Sequence, residues 1–217
     1  MDQLRNGLKR IRAPEHGTPA WKKVLIACLA LLLGAALGAF SKSLDCTPGN
    51  LQPWLFQRLD VGNFLGRFPF WVLVAVLWSV FSKTPLQAAA RVFLFFAGMV
   101  SSYYAYTKFV AGFFPRSYAL VWCVLTLLSP LLAVICWYAR GKGWPALVIS
   151  AAISGFLFCQ GFAFGRWYLE PVYEGLDALA WLAGSLALYQ RPGQFGAMLG
   201  LSLVFALLFE MCLPFGL

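Results

Sequence analysis

Charged residues are scarce in this 217-residue chain, and histidine is almost missing. Charged residues make up 12% of the sequence and hydrophobic residues 61%, whereas a soluble domain has about 25% and about 45–50%. The chain therefore lacks the polar residues that would cover a water-soluble domain. Helices can cross a bilayer because they satisfy their own backbone hydrogen bonds. The composition predicts a membrane protein.

The usual signatures of metal sites and enzymes are also absent from the sequence. His16 is the single histidine, and none of the six cysteines belongs to a Cys-x-x-Cys pair. A structural zinc site needs about four Cys or His ligands, so we expect neither a metal nor a cofactor. The sequence has no Gly-x-Ser-x-Gly, His-Glu-x-x-His or paired-carboxylate motif, and Gly141-Lys142-Gly143 is too short for a phosphate-binding loop. An enzyme is therefore a less favoured interpretation than a binding or accessory protein.

Seven apolar segments fill most of the chain. Five of them are long enough to cross a bilayer as helices, whereas the second and the sixth are short. We therefore predict an all-α, polytopic transmembrane helical bundle with six or seven spans. A basic tail (1–23) would precede a single transmembrane domain (24–217). The segments cover residues 24–41, 68–81, 86–110, 118–139, 144–165, 176–189 and 195–215.

Lysine and arginine are concentrated on one predicted side of the membrane. Cytoplasmic connections are enriched in these residues, so we expect the N-terminus in the cytoplasm and the chain in a bacterial inner membrane. The C-terminus would then lie outside with seven spans and inside with six. The tail alone carries Arg5, Lys9, Arg10, Arg12, Lys22 and Lys23.

Membrane topology also explains the net charge of +9. Because topology accounts for the basic residues, we expect no nucleic-acid partner. The tail can also contact anionic lipid headgroups. Membrane lipids are therefore the first expected partner.

Small residues recur at four-residue spacing in three segments. In lipid, such stripes let two helices approach closely. They would serve packing inside the bundle, or the stripe of the first segment would dock a partner subunit. The residues are Ala30, Gly34, Gly38, Gly161, Gly165, Gly196 and Gly200.

Polar side chains at the predicted outer side are the candidates for binding a small molecule. Tyr103, Tyr104, Tyr106 and Lys108 follow one another near the end of the third segment, and Glu210 is the one acidic residue well inside an apolar run. These residues would line a site open to the outside. Alternatively, the tyrosines form an interfacial aromatic belt with a snorkelling lysine, and Glu210 is solvated where its helix leaves the membrane.

The first outer connection, residues 42–67, is unusually long. The connection mixes apolar residues, such as Trp54, Leu55 and Phe56, with polar ones. Long connections in compact proteins are often functional, and an apolar one can also lie on the membrane surface. The connection would be a lid over a cavity or an interfacial helix.

Several short runs resemble a family of uncharacterised bacterial polytopic membrane proteins. They are Leu37-Gly-Ala-Phe-Ser-Lys42, Val92-Phe-Leu-Phe-Phe-Ala-Gly-Met99, Tyr103-Tyr104, Phe113-Phe-Pro115 and Trp137-Tyr-Ala-Arg-Gly-Lys-Gly-Trp144. This resemblance covers the first five segments and implies a fold but no activity.

The outline is also similar to the S-components of energy-coupling-factor transporters. Those are bundles of six helices, whereas seven apolar segments are present here. The similarity implies a first helix that docks a coupling subunit through small residues, and a first outer loop that covers a ligand. The leading hypothesis is a small-molecule transport or substrate-binding component with an outward-facing site. The alternative is an accessory or structural membrane protein that acts through helix–helix contacts.

Overall fold

The computed structural model describes residues 2–15, 17–164, 169–171 and 175–212. These residues form ten α-helices and one pair of three-residue antiparallel strands, in which Ala163 faces Glu170. The predicted helical fold is therefore confirmed, with the strand pair as an addition. The helices are α1 Asp2–Ile11, α2 Ala20–Asp45, α3 Trp54–Arg58, α4 Val61–Gly66, α5 Phe68–Val80, α6 Pro85–Phe109, α7 Arg116–Trp137, α8 Gly143–Gly161, α9 Leu176–Ala187 and α10 Pro192–Cys212; the strands are β1 Phe162–Phe164 and β2 Leu169–Pro171.

Five helices are long and apolar enough to cross a membrane: α2, α6, α7 with the turn that follows it, α8 and α10. They match the five longer segments of the sequence. Helices α5 and α9, with 13 and 12 residues, extend only about 20 and 18 Å at 1.5 Å per residue. Large apolar side chains such as Leu127, 70% exposed, point away from the bundle. This outward apolar surface, which water would not favour, indicates a multi-pass membrane protein.

Helix α2 continues one turn beyond the predicted apolar segment. Lys42 and Asp45, which the sequence placed in the outer connection, lie in the last turn of this helix. The hydropathy boundary came too early because a helix does not end where its residues become polar. Ser41, Lys42 and Leu44 are buried against neighbouring elements, and this packing sustains the extra turn.

The bundle has two ends, which we name after one residue at each. At the Asp45 end, Arg67 precedes α5 and forms an ion pair of 2.9 Å with Asp177 in the first turn of α9. At the Trp137 end, the side-chain amide of Gln190, just after α9, donates to the Ala139 carbonyl. Short helix α9 therefore begins beside one end of the bundle and finishes beside the other.

Helices α2 and α6 approach each other closely through glycines. A Cβ on Gly34 would meet the carbonyl oxygen of Phe95, and one on Gly38 would meet that of Met99. From the other side, a Cβ on Gly98 would meet the carbonyl of Leu31. The face of α2 that carries fully buried Ala30, Gly34 and Gly38 is thus covered by α6 and serves packing within the chain.

The remaining small residues have different surroundings. Gly161 packs against the backbone of Asp177, at 3.1 Å from a built Cβ. Gly196 and Gly200 are exposed on α10, and a Cβ on either would meet no described atom within 4 Å. Gly165 lies outside the described residues.

Arg12 fastens the N-terminal tail to the Trp137 end. Its Nη1 donates to the carbonyl of Trp137 at 2.6 Å, and its Nη2 donates to those of Val80 at 3.1 Å and Ser82 at 3.2 Å. The guanidinium also lies 4.3 Å from the Trp137 ring centroid. Carbonyls at the ends of α5 and α7 lack intrahelical partners, and Arg12 supplies donors for them. We call this set of contacts the N-terminal clasp.

Backbone contacts extend the clasp on both sides of Arg12. The amide of Lys142 donates to the Ile11 carbonyl at 2.7 Å, and the amide of Glu15 donates to the Lys83 carbonyl at 2.9 Å. Burial lowers the pKa of Arg12, and the charge of Arg140 lowers it further, although an arginine remains protonated in proteins. The basic tail predicted from composition is therefore bound to the transmembrane domain.

Gly34→Leu should destabilise the purified protein strongly, because the side chain would force α2 and α6 apart. Overpacking of this kind costs about 1–3 kcal/mol or more, measured as a lower free energy of unfolding in detergent. Gly200→Leu is the matched control, with an expected change within about 0.5 kcal/mol. Equal losses in the two variants would contradict the close packing of α2 on α6.

Arg12→Lys should also destabilise the protein, by about 1–3 kcal/mol, since one ammonium cannot replace a planar guanidinium that serves three carbonyls. The loss of stability would be measured as a lower unfolding midpoint and as faster proteolysis of the tail. Arg10→Lys, at an exposed position of α1, should leave both unchanged. A tail that stays equally protected in Arg12→Lys would show that the clasp contributes little.

Candidate functional site

A cavity of about 270 Å³ lies at the Asp45 end of the bundle. Its walls come from α2, α4, α5, α6 and α7, and half of the lining residues are aromatic. We call it the aromatic cavity. It is lined by Ser41, Asp45, Leu65, Gly66, Trp71, Met99, Tyr103, Tyr104, Tyr118 and Trp122.

The contact between α2 and α6 sets the polar wall of this cavity. The Tyr103 hydroxyl donates to Oδ2 of Asp45 at 2.8 Å. The Nζ of Lys42, three residues before Asp45, lies 3.5 Å from the same oxygen. Lys42 is only 8% exposed, and its ammonium lies 5.1 Å from the centroid of the Tyr103 ring and 5.3 Å from that of Phe113. Aromatic faces and a carboxylate therefore compensate this buried cation.

The long connection between α2 and α5 covers part of the cavity. The carbonyl of Leu65 accepts hydrogen bonds from Trp71 Nε1 at 2.8 Å and from the Ser41 hydroxyl at 3.4 Å. Leu65 is buried, whereas Trp54 of α3 is 75% exposed. Within the connection, α4 thus forms a wall of the cavity, as expected of a lid, and α3 presents apolar side chains outward, as expected of an interfacial helix.

Stacked and edge-to-face rings position the aromatic wall. Trp122 stacks on Phe68 with centroids 5.0 Å apart and an interplanar angle of 13°. Tyr103 and Tyr104 meet edge to face at 5.2 Å. Trp122 lies in α7 before Pro130. Because Pro130 has no N–H, the Thr126 carbonyl would be unpaired. The Ser129 hydroxyl donates to that carbonyl at 2.8 Å.

The hydroxyl of Tyr104 is buried and has no hydrogen-bond partner among the described residues. Tyr104 itself is 7% exposed. Buried hydroxyls in folded proteins almost always have a partner. A ligand or a water in the aromatic cavity could supply one.

The structure brings two of the five predicted binding residues to this cavity, Tyr103 and Tyr104. Tyr106 is half-buried, and Lys108 is exposed, with its Nζ 5.4 Å from the Phe109 ring centroid. Residues on a helix are separated by about 100° of rotation, so the four residues at positions 103, 104, 106 and 108 cannot all face one site. The expectation that the whole run lines the cavity is therefore corrected.

Glu210 lies apart from the tyrosines, on the face of α10 near the end of α8. Its side chain is exposed, and its Oε2 accepts a hydrogen bond from the Cys159 thiol at 3.6 Å. No described contact joins Glu210 to Lys108. Glu210 does not line the aromatic cavity.

Sequence reasoning missed the residues that give the cavity its character: Asp45, Trp71, Tyr118 and Trp122. Asp45 was counted only as an acidic residue of an outer connection. The signal that could have identified it is its spacing from Lys42, since residues three apart share a helix face. Trp122 sits in a uniformly apolar run, and nothing local distinguishes it from a lipid-facing residue.

A second cavity, of about 430 Å³, lies near the Trp137 end, between the start of α8 and the residues around the start of α10. Its charged lining residues, Lys142 and Arg191, are both exposed, so solvent screens them. The aromatic cavity, where Asp45 pairs with buried Lys42 and the buried Tyr104 hydroxyl is unpaired, is the better candidate for a specific site.

Comparison of the chain with protein-family models, with curated proteins and with solved structures gave no match. The two resemblances drawn from the sequence therefore stay predictions, and the functional argument depends on the geometry of the aromatic cavity.

Proposed function

We propose that this membrane protein is a substrate-binding component of small-molecule transport, with the aromatic cavity as its site. The observation that carries the proposal is a cavity lined by the Asp45 carboxylate, which pairs with buried Lys42, by a buried unpaired hydroxyl and by five aromatic rings. Ligand sites have this character, with mostly apolar walls and a few polar groups that fix orientation.

The position of the cavity supports a binding component rather than a continuous pore. Its described lining residues all come from the Asp45 end, while the N-terminal clasp packs the opposite end. Binding on one side of the membrane is what a component that delivers a ligand to a separate transport machinery requires. This part of the proposal agrees with the similarity to S-components, which remains an analogy of architecture.

We also propose seven spans, with the N-terminus in the cytoplasm and the aromatic cavity facing outward. The uneven distribution of lysine and arginine supports this orientation. The contacts of α9 with both ends of the bundle support its inclusion as a short span, which would thin the bilayer locally or tilt little.

Labelling of single cysteines with a membrane-impermeant maleimide should test this topology in intact cells. Cys46, exposed just after α2, and Cys212, exposed at the end of α10, should both react. A cysteine introduced by Arg10→Cys should react only after the membrane is permeabilised. Labelling of Cys46 without Cys212 would favour six spans, and the reverse pattern for Arg10→Cys would overturn the orientation.

Gly66→Trp should abolish ligand binding without unfolding the protein. Gly66 lines the aromatic cavity, and a Cβ there meets no described atom within 4 Å, so an indole should fit at this wall without a clash, and we expect it to obstruct the cavity. Thermal-shift measurements on protein in nanodiscs, against a panel of metabolites grouped as amines, carboxylates and sugars, are the assay. At least one compound should stabilise the native protein and not the variant.

The matched control is Gly49→Trp, at an exposed glycine outside the cavity where a Cβ also meets open space. It should respond to the same compounds as the native protein. If no compound distinguishes the native protein from Gly66→Trp, the proposal of a binding component fails.

A further inference from the structure

We infer that the aromatic cavity selects a small organic ammonium compound, an inference that rests on the proposed function and names its substrate class. The charge on the cavity wall is the first reason. Among the described lining residues, Asp45 is the one that carries a formal charge. The charged group that a bound molecule would meet on the lining is therefore a carboxylate, and its partner Lys42 lies outside the lining.

Asp45 retains capacity for a ligand although it is already paired. The Tyr103 hydroxyl and Lys42 both engage its Oδ2. Its Oδ1 accepts no hydrogen bond from the residues that the structure describes, and its side chain is 30% exposed. A carboxylate has about four acceptor positions, so a ligand N–H or an ammonium group can approach Oδ1 without displacing Lys42.

Aromatic rings supply the rest of the wall. Trp71, Tyr103, Tyr104, Tyr118 and Trp122 make up half of the lining. The faces of such rings attract cations, and cages of several rings recognise quaternary ammonium groups in particular. The Lys42 ammonium, 5.1 Å from the Tyr103 centroid, shows that the rings at this end already stabilise a cation.

The volume of the cavity and the unpaired Tyr104 hydroxyl give further information on the class of ligand. A cavity of about 270 Å³ has room for roughly nine waters at about 30 Å³ each, which is enough for a compound of the size of choline. A hydroxyl or carbonyl on that compound would give the unpaired Tyr104 hydroxyl a partner. The same ammonium chemistry is present in a choline lipid headgroup and in a free amine.

The test compares choline with its neutral isostere 3,3-dimethylbutan-1-ol, by isothermal titration and tryptophan fluorescence on the native protein in phosphatidylglycerol nanodiscs. Choline should bind at least about tenfold more tightly, because cation–π attraction and the carboxylate act on the charged compound alone. Equal binding of the two compounds would overturn the ammonium class.

Three variants make the test specific. Asp45→Asn should weaken choline binding about tenfold, whereas Asp60→Asn, a carboxylate outside the cavity, should not change it. Lys42→Met should strengthen it severalfold, since a neighbouring positive charge is removed. A site for anions or neutral rings would respond to Lys42→Met with weaker or unchanged binding, so this variant keeps the inference falsifiable if Asp45→Asn fails to fold.

Two further comparisons distinguish a lipid headgroup from a free compound as the ligand, and failure of the ammonium class from failure of the proposed function. Competition by phosphatidylcholine in the nanodisc would assign the ligand to a lipid headgroup, and its absence would assign it to a free compound; both support the ammonium class. If choline does not bind while a metabolite without an ammonium group stabilises the native protein and not Gly66→Trp, the ammonium class is wrong and the proposed function stands. If neither binds, both fail.

Discussion

The close approach of α2 and α6 is the contact on which the aromatic cavity depends. Gly34, Gly38 and Gly98 remove the side chains that would hold the two backbones apart. In lipid, where apolar burial gives no advantage to one helix contact over another, such packing is the main attraction. The short distance between the helices lets the Tyr103 hydroxyl reach the Asp45 carboxylate. A stripe of small residues thus determines the geometry of a polar pair more than one turn away.

The two ends of the bundle stabilise buried cations in different ways. At the Asp45 end, Lys42 is compensated by a carboxylate and two aromatic faces. At the Trp137 end, Arg12 is compensated by backbone carbonyls and one indole face. A partly exposed carboxylate can exchange partners with an incoming ligand, whereas the carbonyls that Arg12 binds belong to the fully buried residues Val80, Ser82 and Trp137. The first arrangement is therefore adaptable, and the second is structural.

The sequence predicted the helices better than the site. Each of the seven apolar segments overlaps one of the helices α2 and α5 to α10, because hydropathy and helix length follow from the same bilayer thickness. The site depends on which helix faces meet, and no local pattern encodes that. Tyr103 and Tyr104 were identified, but Lys108 points away and Glu210 belongs to another helix pair. Asp45 was missed because α2 continues beyond its apolar run.

The N-terminal clasp has a consequence for the order in which the chain matures. Arg12 precedes Trp137 by 125 residues, which at about 5–20 residues per second of synthesis corresponds to roughly 6–25 s. The Val80 and Ser82 carbonyls follow Arg12 by only 68 and 70 residues, so two of its three acceptors are made before the third. The Trp137 carbonyl, which has the shortest of the three hydrogen bonds, is made last. The set of contacts around Arg12 is therefore completed only after α7 has been synthesised.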